Sequence, residues 1–283
     1  MQIGIGLPNP IPGTPGEVLI RWAQHAEEAG FSSLATIDRI GYPSYESLIT
    51  MAAAAAVTKR VGLVTNVLLG PTRNPVLLAK EAASVDQLSG GRLTLGLGVG
   101  AREDDFEAAG QEFHTRGKRF DQDLELIHRA WSGEPMGAGK PVGPKPVRGD
   151  RIPILIGGSS DAAIRRTVQW GIGWTVGGAP PEQGGRFADR VRKTWKEAGR
   201  EGEPKIVGLT YFALGEGAAE KAETYLTDYY GPFGAQIAQF IPKTPQALKE
   251  TVSKFADYGF DELFLDPTVA DLAQVDAAAD AAL

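Results

Sequence analysis

The sequence predicts an α/β fold, a (β/α)8 TIM barrel, as one domain spanning residues 1–283. Three observations predict it. Apolar strand-like runs alternate with helix-like runs along the whole chain, the pattern of parallel strands joined by crossovers. The length of 283 residues suits a barrel, for which about 250 is typical. No Gly-x-Gly-x-x-Gly follows the first strand, where an open dinucleotide-binding sheet carries it. Gly96-Leu-Gly-Val-Gly100 lies in the fourth strand instead.

The stretch Val61–Gly100 shows the repeating unit most plainly. Val61–Leu69 is an apolar, β-branched strand. Asn74-Pro75 starts a helix. Val76, Leu77, Ala79, Ala82, Ala83, Val85 and Leu88 then recur at helical spacing. Gly90-Gly91 ends it, and Leu93–Val99 is the next strand.

The other elements follow in order. Gln2–Leu7 is the first strand, and Glu17–Ala29 a helix closed by Gly30. Ser33–Ile37 is the second strand, ending at Asp38-Arg39. Ser44–Thr58 is an Ala-rich helix, closed by Lys59-Arg60 where cations suit a helix C-terminus. After the fourth strand come a short acidic helix within Arg102–Gly110, a long helix Arg116–Trp131 and a Gly- and Pro-rich loop Ser132–Asp150. Strands Ile152–Ile156, Ile172–Val176, Lys205–Leu214 and Glu262–Asp266 complete the eight. Helices Asp161–Trp170, Pro181–Ala198, Ala218–Tyr230, Thr244–Tyr258 and Val269–Leu283 alternate with them. Gly231–Pro242 is an aromatic-containing excursion, read as a lid or a dimer contact.

Composition narrows the function. The chain is 42% hydrophobic and 23% charged, ordinary for a protein with a buried core. It carries 29 basic and 35 acidic residues, net −6, with no basic cluster, so nucleic acid is not an expected partner. The absence of cysteine removes disulfides, thiol catalysis and thiolate metal sites. The N-terminal MQIGIGLPNP lacks the charged start and long apolar core of a signal peptide. The Ala52–Val57 run is too short to span a membrane. These features lead us to expect a cytoplasmic enzyme with a small-molecule substrate.

In such a barrel the active site lies at the C-terminal ends of the strands. Gly157-Gly158-Ser159-Ser160, after the fifth strand, has two readings. Its backbone N–H groups and the following helix N-terminus suit a phosphate, and the same residues suit a tight turn with a serine cap. Asp38 and Arg39 can pair with each other, polarise a substrate or form a plain surface pair. Of the histidines, His25 and His128 fall inside helices and read as structural or exposed, while His114 can face the site. They form no metal-ligand cluster, and no metal is expected. One of Glu103, Asp104 and Asp105 can face the pocket, and Tyr42, Tyr45, Tyr211, Tyr229 and Tyr230 can line it or simply pack. Apolar strand ends with few ionisable groups suit chemistry carried by an organic cofactor.

Four motifs then carry a resemblance: Leu68–Val76 (LLGPTRNPV), Ala79–Ala82 (AKEA), Asp86–Arg92 (DQLSGGR) and Gly96–Gly100 (GLGVG). Together with Ala29-Gly30-Phe31, Asp105-Phe106 and Gly110, they resemble the bacterial luciferase-like flavin oxidoreductases, from Ile3 to Leu263. The resemblance implies a barrel that binds FMN or, in one branch, a deazaflavin coenzyme. It places the flavin over the third strand, with a non-prolyl cis peptide at Asn66-Val67. It assigns the flavin phosphate to Gly157, Gly158, Ser159 and Ser160, with Val99, Gly100, Gly177 and Gly178 nearby.

The implied activity is an FMN-dependent monooxygenase, using reduced flavin from a partner reductase and O2. A deazaflavin-dependent reductase or dehydrogenase and a non-catalytic flavin-binding protein are the alternatives. A homodimer is also implied. Luciferases proper carry a histidine after the second strand, and the deazaflavin branch often has Asp-His. This chain has Asp38-Arg39, so Arg39 is the candidate to stabilise oxyanion charge, with Asp38 and His114 beside it. A luciferase phosphate-binding arginine is replaced here by Val99.

Overall fold

A computed structural model describes residues 1–137 and 139–283. The eight barrel strands are β1 (Gln2–Gly6), β2 (Ser33–Thr36), β3 (Gly62–Thr65), β4 (Leu93–Gly98), β5 (Ile154–Gly157), β6 (Gly173–Gly177), β7 (Lys205–Phe212) and β8 (Glu262–Pro267). All pair in parallel in the order β3-β2-β1-β8-β7-β6-β5-β4, and β3 pairs with β4 to close the ring. The helices are α1 (Gly16–Ala29), α2 (Ser47–Val57), α3 (Pro75–Ser89), α4 (Glu103–Ala108), α5 (Arg116–Ser132), α6 (Asp161–Trp170), α7 (Pro181–Glu197), α8 (Ala218–Tyr230), α9 (Gly234–Phe240), α10 (Pro245–Asp257) and α11 (Ala273–Ala282). No helix among the described residues is long and apolar enough to cross a membrane.

The third strand departs from the sequence reading. Instead of running from Val61 to Leu69, it stops at Thr65, crosses a cis Asn66–Val67 peptide and resumes at Leu68–Leu69, paired to Leu97 and Gly98 of β4. This is where the resemblance puts a non-prolyl cis peptide. The loop 132–150 holds a small hairpin, Pro135–Met136 against Lys140–Pro141. The cation at the end of α2 is not Lys59 or Arg60 but Arg92, which donates to the carbonyls of Ala55 and Thr58. Arg60 reaches back to the last turn of α1 and bonds Glu27 O.

Helix α3 forms where its caps say it should. The Asn74 side chain accepts from the N–H groups of Val76 and Leu77, and Gly90 ends the helix in the left-handed region, at φ 68°. Its buried face is turned from the expected one. Leu78, Ala79, Ala82, Ala83 and Val85 are buried, whereas Leu77 and Leu88 are exposed. Leu78 aligns with Ala82 and Val85 one turn apart, and this stripe sits under the barrel wall.

Two layers of core result. The outer one lies between helices and sheet, with Trp22, Trp131 and Trp174 buried in it. The inner one contains Val64, Leu155, Val207, Leu209, Tyr211 and Phe264. At the N-terminal end Glu262 is held by Lys205 at 2.7 Å and Ser32 at 2.8 Å.

Inward-facing glycines decide which side chains cross the barrel. Phe264 lies over Gly4 and Asp266 over Gly6, where a Cβ would fall 2.1 Å from Asp266 Oδ1. Val67 takes the space that Gly98 and Gly157 leave open, with Cβ positions 2.7 and 2.9 Å from its methyl groups. Gly96 is tighter still, because its Cβ would meet the Thr65 carbonyl at 1.9 Å.

Gly96→Ala is therefore expected to destabilise the fold by at least about 2 kcal/mol, since backbone and not a movable side chain is in the way. Gly177→Ala, with nothing within 4 Å of its Cβ, is expected to leave the unfolding midpoint unchanged. Denaturant unfolding of both variants checks this.

Candidate active site

The C-terminal mouth of the barrel holds a cavity of about 170 Å³. The ends of β2 and the broken third strand supply Ile37, Asp38, Arg39, Asn66, Val67 and Leu69. The segment after β4 adds Ala101, Arg102 and Asp105, and β7 and α8 add Leu209, Tyr211, Tyr229 and Tyr230. Gly177 connects it to a second cavity of about 500 Å³, bounded by Ser159, Trp174, Gly178, Pro180, Arg186 and Arg190. A third, of about 420 Å³, runs from Gly178 and Pro180 past Tyr211 to Ile237 and Phe240 of α9. The three form one crescent around Gly177-Gly178. The Gly231–Pro242 excursion thus borders the groove through α9.

Asp38 and Arg39 do not pair with each other, and neither is on the surface. Both are buried, each with its own partners. Asp38 Oδ2 accepts from Arg73 Nη1 at 2.7 Å and from the Leu69 N–H at 2.9 Å, while Oδ1 accepts from Ser47 and Arg73 Nη2 at 3.1 Å each. Arg73 reaches on to Glu46, whose carboxylate caps α2 by accepting from Ile49 N.

Arg39 Nε donates to Asp105 at 2.8 and 2.9 Å, and Nη2 donates to Asp104 at 2.6 Å. Asp105 Oδ1 also accepts the N–H groups of Ile40 and Gly41. Burial disfavours the charged guanidinium, but hydrogen bonds and charge from Asp105 and Asp104 outweigh it and hold Arg39 above its ordinary range. Its guanidinium also lies over the rings of Tyr42 and Tyr229, at 5.3 and 5.5 Å. Arg102 was not singled out by the sequence. Its guanidinium sits 5.2 Å above both Tyr229 and Tyr230, and it makes no ion pair among the described residues.

The remaining expected residues divide. Asn66 and Val67 line the mouth. Asn66 Oδ1 accepts from Thr175 at 2.6 Å, and its buried Nδ2 has no partner. Ser159, Gly177 and Gly178 line the second cavity. Ser160 caps α6 by accepting from Ala163 N, and the Gly158 carbonyl accepts from Trp174. Gly157 lies beneath Val67. Val99 packs on the outer core and the Gly100 carbonyl accepts from Arg116, so Ala101 and Arg102 form that wall. His114 is exposed, edge-on to Phe113, and lines none of the three cavities. His25 bonds Asp276, and His128 is stacked on Trp170 with burial holding its pKa down. Among the described residues no group of acidic and histidine side chains can hold a metal ion.

The groove fits the flavin that the resemblance implies. Asn66 Nδ2 is a buried donor lacking an acceptor, on a residue that lines the mouth beside Val67. Gly177 and Gly178 leave open space above the backbone. Ser159, just before α6, lines the second cavity with Arg186 and Arg190, the latter also paired to Asp161 at the start of α6, a set of donors suited to a phosphate.

Below the mouth lies Asp266, buried, with no partner for Oδ1. Burial raises its pKa to about 8. Its strand position was legible, but not its isolation, which follows from the bare backbone of Gly6 beside it.

The sequence profile of the luciferase-like monooxygenases matches residues 1–265. An uncharacterized protein of Mycobacterium tuberculosis is 32% identical over 241 residues, spanning 73% of this chain and 81% of that one. Two solved structures share the fold. An F420-dependent secondary alcohol dehydrogenase, with an F420-acetone adduct, superposes with a TM-score of 0.80 at 16% identity, covering 99% of this chain and 97% of that one. The oxygenating constituent of 3,6-diketocamphane monooxygenase from Pseudomonas putida, in complex with FMN, gives 0.77 at 15%, covering 100% and 98%.

Two outcomes follow from these geometries. Arg39→Ala leaves Asp105 buried without its cation, and is expected to cost about 3–5 kcal/mol in denaturant unfolding. Asp266 ionises near 4 when unfolded but stays protonated to about 8 when folded. Folding takes up a proton between those values, so stability falls as pH rises through that window and levels off above it. Wild-type melting temperature is expected to fall relative to Asp266→Asn as pH rises from about 5 to about 8.

Proposed function

The chain belongs to the luciferase-like monooxygenase family, and we propose that it is an FMN-dependent monooxygenase that oxygenates a small organic substrate. One observation carries the choice within the family. The carboxylates that line the mouth are both committed, Asp38 to Arg73 and Asp105 to Arg39, and no histidine lines it. Hydride exchange between a deazaflavin and an alcohol needs a base at the substrate oxygen, within hydrogen-bond reach. Oxygenation instead needs a water-excluding wall and fixed donors, which Leu69, Leu209, the tyrosines and Arg102 supply.

Asn66 Nδ2 and the floor at Val67 would hold the flavin ring. Ser159, Gly177, Gly178 and the arginines of the second cavity would hold its phosphate. Bound and reduced, the flavin supplies two electrons and activates dioxygen. Arg102, seated on Tyr229 and Tyr230, lines the cavity as a cation without an ion pair among the described residues and would stabilise oxygen or substrate anion. Arg39 sets the field of that wall while holding Asp105 and the Ile40-Gly41 backbone in place.

The reading extends to partners. A separate flavin reductase supplies reduced FMN. A second copy of the chain covers the apolar groove between α2 and α3, where Ile49, Leu77 and Leu88 are exposed.

Titration of the apoprotein with FMN and with the deazaflavin coenzyme, read by fluorescence, tests the assignment. FMN is expected to bind more tightly, and Ser159→Ala and Gly177→Val to weaken it about tenfold, equivalent to about 1.4 kcal/mol. Reduced FMN with protein and substrate is expected to turn over only with oxygen present. Preference for the deazaflavin and anaerobic turnover would assign hydride transfer instead. Tight FMN retention without oxygen consumption would assign flavin binding alone.

A further inference from the structure

We propose that Asp266, Tyr211 and Tyr230 form a proton relay that feeds the mouth cavity from inside the barrel. The oxygen anion it serves is that of the oxygenase reading above. Asp266 and Tyr211 are register partners on β8 and β7, so their side chains lie side by side on the inner face. The Tyr211 and Tyr230 hydroxyls are 2.7 Å apart, and both residues line the mouth cavity. Asp266 Oδ1 and the Tyr225 hydroxyl are buried with no protein partner. Orphaned buried polar atoms are the setting in which a water is retained, and the proposed relay takes one such water between Asp266 and the tyrosines.

The charged surroundings are one-sided. Tyr211, Tyr225 and Tyr230 lie near enough to Asp266 for a charge there to raise their pKa values, which burial raises first. Arg39 and Arg102 stand over Tyr229 on the mouth side, Arg102 also over Tyr230, and Asp38 faces Tyr229. No cation reaches the carboxyl, so burial alone keeps it protonated at neutral pH.

The reaction needs one such proton. Reduced flavin as its monoanion, dioxygen, substrate and one proton give oxidised flavin, the oxygenated product and water. The Tyr230 O–H bond breaks as its proton passes to the oxygen anion in the cavity. Tyr211 returns a proton to Tyr230, and Asp266 to Tyr211 through the water. The Asp266 carboxylate is reprotonated between turnovers by the reverse path, from water in the mouth cavity through Tyr230 and Tyr211. Asp266 acts only through the tyrosines.

Infrared spectroscopy of the FMN-loaded protein tests the wiring. A protonated-carboxyl C=O band is expected at neutral pH, lost in Asp266→Asn and displaced in Tyr211→Phe and Tyr230→Phe. Product formed per reduced FMN is expected to fall about tenfold in all three variants, equivalent to about 1.4 kcal/mol, and in wild type as pH rises past the point where the band disappears. Absence of an Asp266-dependent band, or a band unmoved by both phenylalanine variants, overturns the relay. So does a normal product yield with an unchanged pH profile in Asp266→Asn. If the band behaves as expected but wild type consumes no oxygen, the wiring from Asp266 to Tyr230 stands and the oxygenase reading fails. Should Asp266→Asn not fold, the two phenylalanine variants decide alone.

Discussion

The carboxylate of Asp38 ties together three segments that are distant along the chain. It holds the Leu69 N–H where the third strand resumes, the Arg73 guanidinium before α3 and the Ser47 hydroxyl at the start of α2. A buried carboxylate with these partners offsets its lost hydration with two bonds from the Arg73 guanidinium and two from uncharged donors. The geometry of the mouth depends on it. Once Leu69 is pinned, the chain between Thr65 and Leu68 must turn inward. Val67 then covers the floor, and Asn66 lines the cavity beside it.

The floor itself is a matter of volume. Side chains from all eight strands cannot fill a narrow barrel at once, so glycines on β1, β4 and β5 yield to Phe264, Asp266 and Val67 from their neighbours. The same economy places a carboxyl where no cation can follow. The carboxylates that line the mouth are paired, Asp38 with Arg73 and Asp105 with Arg39, whereas burial favours the neutral form of Asp266.

The crescent around Gly177-Gly178 joins two regions of different character. The phosphate-suited end has exposed arginines and a helix terminus, both wet and adaptable. The mouth has tyrosine rings packed edge to face and guanidinium groups lying over them. Binding strength is expected to come largely from the first and selectivity from the second, since only the buried end penalises a poorly matched group.

Much of this was legible in the amino-acid sequence. Alternating periods of two and 3.6 residues, with Asn74-Pro75 and Gly90 as start and stop, specify the β/α alternation through local sterics and capping alone. Glycines and serines after apolar strands likewise mark Ser159 and Gly177 as lining residues. Other features needed the tertiary structure. Asp38-Arg39 reads as a neighbouring pair, yet adjacent strand-end residues point in different directions, and their partners Arg73 and Asp105 lie 35 and 66 residues away. Arg102 gains its place over two rings only because α8 brings Tyr229 and Tyr230 beneath it. Asp266 becomes a neutral acid only because Gly6 leaves room for it beside β1. Local sequence determined the elements, because propensity and capping act within a few residues. Ring closure decided the chemistry of the mouth, because charge pairing and desolvation depend on which distant side chains share one small space.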